Sequence, residues 1–76
     1  MALIRTNLDS SSIESVVYNP ETGTLEVIFR RTGHAYDYFG VPDDVYKAFM
    51  SAESKGSFLN EVIKPNYDSI RAEFRM

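Results

Sequence analysis

Tyr36 and Tyr38 stand two residues apart with Asp37 between them. On an extended chain that spacing sends both rings to one face and the carboxylate to the other. Two rings on one strand face can stack successive bases of a single-stranded nucleic acid. Arg30 and Arg31 precede them with His34, and Lys55 and Lys64 follow, so candidate phosphate contacts are at hand. Such a surface would declare itself by an affinity that falls with salt. Packing is the competing role for both tyrosines and the stronger one, because buried rings dominate the cores of small domains. For the cations the competing role is an ordinary solvated turn on a charge-balanced surface.

Other chemistry finds little footing. His34 is the only histidine and there is no cysteine, so a transition-metal site lacks ligands and no cofactor is expected. As a general base, His34 would want an orienting carboxylate and a nucleophile nearby. Ser10, Ser11 and Ser12 are too generic to fill that part. Asp43 and Asp44 suit the positive end of a helix, and Glu21 suits a turn. Lys55-Gly56-Ser57 at a helix start could hold an anion on backbone N–H groups, but it lacks the glycine spacing of a phosphate loop. No catalytic residue is assigned, and the chain is expected not to be an enzyme.

The elements that would position these residues follow from local patterns. Ile13 to Tyr18 is rich in β-branched residues and reads as a strand. Val16 and Val17 are adjacent, so either both faces are partly covered or a bulge re-aims one residue. Asn19-Pro20-Glu21-Thr22-Gly23 is a turn. Thr24 to Arg30 alternates, with Leu25, Val27 and Phe29 on one face and Glu26, Ile28 and Arg30 on the other. Arg31-Thr32-Gly33 turns again into a third strand, His34 to Phe39. Pro42 then opens a helix, with Val45, Ala48, Phe49 and Ala52 as its apolar stripe, widened by Tyr46 and Met50. Gly56 is expected to end that helix and Ser57 to cap a second, whose buried face is Phe58, Leu59, Val62 and Ile63. Pro65 is expected to stop it.

Strands followed by helices predict an α+β domain. The expected form is a three-stranded antiparallel meander followed by two short helices packed on one face (βββαα). Its core joins Leu25, Val27 and Phe29 to Val45, Phe49, Leu59 and Ile63. Residues 1–10 read as a flexible N-terminal arm, 11–67 as the single domain, and 68–76 as a tail that docks as a last helical turn or frays.

Composition sets the outer limits. A chain of 76 residues is one domain with a thin stability margin. Five Phe and five Tyr must supply much of its core. A net charge of −3 gives no general attraction to nucleic acid or anionic lipid. Residues 1–8 carry no long apolar run, so no signal peptide is expected, and no stretch is long enough to span a membrane. A cytoplasmic protein is the expectation.

Several segments taken in order carry a resemblance. They are Ser11-Ser12-Ile13, the Tyr18 ending the first strand, Thr22-Gly23-Thr24-Leu25-Glu26-Val27-Ile28-Phe29, Tyr36-Asp37-Tyr38, Val41-Pro42 and Ser54-Lys55-Gly56-Ser57-Phe58. Together they resemble the KTSC domain, a module found at the C-terminus of some lysyl-tRNA synthetases and as stand-alone bacterial or phage proteins. The resemblance spans Ser11 to Tyr67 and implies RNA binding as the suggested role. This chain departs from the pattern at Ser57-Phe58-Leu59-Asn60, where the family often carries an aromatic pair after the glycine. The combined expectation is a small binding module, monomeric or weakly self-associating. Its partner is either RNA, met by Tyr36, Tyr38, Arg30, Arg31 and Lys55, or another protein, met by an outer strand such as Ile13 to Tyr18.

Overall fold

The structure, a computed structural model, describes residues 3–72. Its strands are β1 (Ile4–Asn7), β2 (Ile13–Asn19), β3 (Thr24–Phe29), β4 (Ala35–Tyr38) and β5 (Ser69–Arg71). They form one antiparallel sheet in chain order, so every strand lies beside its sequence neighbour. Between β4 and β5 come helix α1 (Asp43–Ser51) and a second helical segment, residues 55–66. That segment is α2 (Lys55–Phe58), a π-helical stretch (Leu59–Ile63) and α3 (Lys64–Asn66). The α+β class and the central meander are as expected, and two further strands extend the sheet.

Both added strands lie where the sequence suggested arm and tail. Residues 4–7 form β1, which covers the outer edge of β2, so Ile13–Tyr18 is not an edge at all. Residues 69–71 pair with β4 as β5 rather than winding a last helical turn. Short polar strands of this kind carry little local signal, and pairing with a neighbour decides them. The rest of the expected tail, 73–76, lies outside the described residues.

Core formation follows the alternation of β3. Leu25 and Val27 are fully buried, and they cluster with Val16, Tyr18 and Tyr38 from the flanking strands. Helical Tyr46, Phe49, Leu59 and Ile63, with Val41, close that cluster from above. A register shift between Ile13 and Ser15 marks a bulge at Glu14. It lets Ile13, Val16 and Tyr18 share the covered face despite their mixed parity. Val17 is left on the other face.

The helices depart from expectation in four places. In α1 the buried positions are Tyr46 and Phe49, while Ala48 is exposed. Tyr46 stacks on Tyr18 with centroids 4.0 Å apart and planes 7° off parallel, so the stripe turns toward the larger ring. Helix α1 ends at Ser51, before Gly56. Ser54, not Ser57, caps the next helix, its hydroxyl accepting from the Ser57 N–H at 3.3 Å. Gly56 sits inside that first turn, where an added Cβ would stand 2.7 Å from the Ser12 hydroxyl. Pro65 does not stop the helix. Its ring and missing N–H follow the wider π-helical turn, and the Asn66 side chain donates to the Val62 carbonyl at 2.7 Å. Phe29 is only partly buried, with its edge against Tyr36.

Candidate functional site

The two faces of the sheet differ in kind. Strand register places Thr6, Val16, Val27, Tyr36 and Arg71 in one row, and Ile4, Tyr18, Leu25, Tyr38 and Ser69 in another, both on the helix side. Between them runs the row Arg5, Val17, Glu26, Asp37 and Ile70 on the opposite face. None of that row belongs to the helix-covered core. A groove of about 440 Å³ opens here, lined by Leu3, Val17, Asn19, Thr22, Thr24, Glu26 and Asp37. Leu3, Phe39 and Ile70 are among the most exposed large apolar residues, at 60%, 40% and 47%.

On this face Glu26 and Asp37 sit directly opposite each other across β3 and β4. Like charges in that arrangement normally destabilise a sheet. Asp37 is nevertheless buried, and both residues take part in interactions of the folded chain. The strand periods had separated Glu26 and Asp37 from the core-facing residues. Their meeting, with Arg5 and Val17 in the same row, depends on cross-strand register, which no local pattern encodes.

The residues expected to meet a nucleic acid do not form one surface. Tyr38 is only 2% exposed and lies under the helices, where burial raises its hydroxyl above the ordinary value of 10.0 and nearby Tyr36 adds to the effect. A ring there cannot stack a base. Tyr36 is half-buried, held edge-on to Phe29 with centroids 5.8 Å apart. Arg30 turns back on the chain, donating to the carbonyls of Leu8 at 2.9 Å and Ser10 at 3.0 Å, and so pins the β1–β2 loop. Lys55 donates to the Ala52 carbonyl at 2.7 Å, closing the end of α1. Of the five, only Arg31 is both exposed and without such a role in the hydrogen bonds described. His34 faces the Arg71 guanidinium at 3.3 Å.

A second, smaller notch of about 290 Å³ lies where the β1–β2 loop meets the start of α2. Asp9, Ser10, Ser11, Ser12, Glu53, Ser54, Lys55 and Gly56 line it. Its two carboxylates oppose an anion, and Ser54 already takes the Ser57 N–H. Among the described residues no three His, Cys, Asp or Glu side chains gather as a metal site. No helix among them is long and apolar enough to cross a membrane.

Known proteins place this geometry in context. A family model described as the KTSC domain matches residues 9–67. An uncharacterised protein of Stutzerimonas stutzeri is 43% identical over 63 residues, covering 83% of this chain and 87% of its own. A protein of Tsukamurella paurometabola is 35% identical over 63 residues, covering 83% of this chain and 92% of its own. The crystal structure of a KTSC domain protein from Yersinia pestis superposes with a TM-score of 0.84 at 41% identity, covering 92% of this chain and 97% of that one.

Proposed function

The chain belongs to the KTSC domain family, and we propose that it is a non-enzymatic binding module whose partner is a polypeptide taken on the open face of the sheet. The observation that carries this reading is the groove between Leu3 and Asp37, lined by the exposed Leu3 and the partly exposed Val17 on a face the helices leave alone. Two apolar side chains, Leu3 and Val17, beside the polar Asn19, Thr22, Thr24, Glu26 and Asp37 offer an extended peptide both packing and hydrogen bonds. The Glu26–Asp37 pair and the net charge of −3 work against a polyanion. The nucleic-acid expectation also loses Tyr38 to the core and two of its three cations to backbone carbonyls.

Selection from a random peptide display library against the intact domain tests the reading. Peptides that bind wild type and lose affinity at least ten-fold on Val17→Asp support it. Selected peptides indifferent to Val17→Asp oppose it. So does labelled single-stranded RNA whose anisotropy rises at low salt and falls with added salt.

A further inference from the structure

We propose that the open face recognises a second copy of this chain, paired face to face about a two-fold axis running along β2. The inference rests on the polypeptide-binding reading and names its partner. Its basis is the charge order in one register row, where Arg5, Val17 and Glu26 occupy adjacent strands in that sequence. Adjacent strands lie roughly 4.8 Å apart, so Arg5 and Glu26 are about equally far from Val17 on opposite sides. A two-fold axis parallel to β2, midway between two such faces, lays Val17 over Val17 of the other copy. The same rotation exchanges the positions of β1 and β3. Arg5 of each copy then stands over Glu26 of the other, one strand from Asp37. The face is self-complementary, as an isologous contact requires.

The remaining contacts agree with this placement. Leu3 lines the groove beside Asn19 and Thr24, and the rotation carries it over Thr24 of the second copy. Its side chain is 60% exposed, so the pairing covers apolar surface that is otherwise wet. Sheets packed in this way sit about 10 Å apart, a gap that side chains from both faces fill. An ionised carboxylate offers about four acceptor positions, so one already engaged within its own chain still accepts a guanidinium. Repulsion between two chains of charge −3 is screened over about 8 Å at physiological salt.

Area limits the strength. With the axis on β2, only β1, β2 and β3 of the two copies overlap, giving a face of roughly 14 by 20 Å, or about 300 Å² per copy. That is small for a stable interface and fits a weak, concentration-dependent dimer. The test is sedimentation of the full chain from about 10 µM to about 1 mM at near-physiological salt, a range that spans weak association. Wild type should pass from monomer toward dimer. Arg5→Glu alone and Glu26→Arg alone should each weaken association at least ten-fold, and the double variant should restore it. Isotope-filtered NMR on a mixed labelled and unlabelled wild-type sample adds a readout that needs no variant, and contacts between Val17 methyls of two copies are expected. Monomer throughout overturns the proposal, as does a dimer indifferent to Arg5→Glu or lacking the Val17 contact. A monomer that still binds display-selected peptides through Val17 overturns only the second copy and leaves the polypeptide reading standing.

Discussion

Tyr18 ties the two layers together at a single atom. Its hydroxyl donates to the Val41 carbonyl at 2.7 Å, and its ring stacks on Tyr46 of α1. Burial raises the hydroxyl above its ordinary value of 10.0, and the Asp43 carboxylate adds to the shift. Tyr38 is shifted the same way by its burial. The folded chain therefore holds these protons more tightly than the unfolded one. Their contribution to stability is complete below pH 10.0 and is lost as pH climbs through the raised folded values. Urea midpoints measured upward from pH 8 should fall above about pH 10, with a shallower fall in Tyr18→Phe. A midpoint flat through that range would contradict the burial of both hydroxyls. Gly23 offers a second test at this scale. Its φ is +75°, and an added Cβ would lie 3.0 Å from the Val41 carbonyl oxygen. Gly33 has φ +76° but open space around it. Gly23→Ala should cost about 1–3 kcal/mol and Gly33→Ala less, read from paired urea titrations. Gly23's turn was legible in the sequence; its contact with Val41, eighteen positions away, was not.

Among the elements, β1 depends most on tertiary support. Its four residues are mostly exposed, and it is held by β2 on one side and by the Arg30 side chain at the loop that follows. Arg30→Ala should cost about 1 kcal/mol, since its bonds to carbonyls are only partly shielded. Its sharper effect should be local, with faster amide exchange in Ile4–Asn7 than in Thr24–Phe29. Equal acceleration in both strands would show that Arg30 does not act on β1. The central strands and α1 were readable because alternation, helical spacing and Gly or Pro punctuation agreed there. β1 and β5 were not, since three or four mixed polar residues look alike whether they pair or hang free. The second helix was legible in position but not in form. Pro65 is a helix breaker by local rule, and the π turn before it, anchored by buried Leu59 and Ile63 and closed by the Asn66 bond to Val62, carries the helix through it.

For the molecule as a whole, one side of a single sheet carries the core. Phe49 is fully buried at its centre, and Phe29 sits only partly covered at the margin. Phe49→Ala should cost roughly 3–5 kcal/mol, enough to unfold much of a population whose total stability is about that size. Phe29→Ala should cost distinctly less, and equal losses would place the core elsewhere. The α+β class was legible because hydrophobic period changes from two to 3.6 at Val41-Pro42. The binding face was not, because Arg5, Val17 and Glu26 are far apart in sequence and become neighbours only through register. That face is the central claim, and amide chemical-shift mapping tests it most directly. Adding a display-selected peptide, or raising the protein's own concentration, should move Arg5, Val17, Thr24 and Glu26 together and leave Phe49, Leu59 and Ile63 still. Shifts confined to Arg30, Arg31, His34 and Lys55, or shifts there on adding single-stranded RNA, would contradict it.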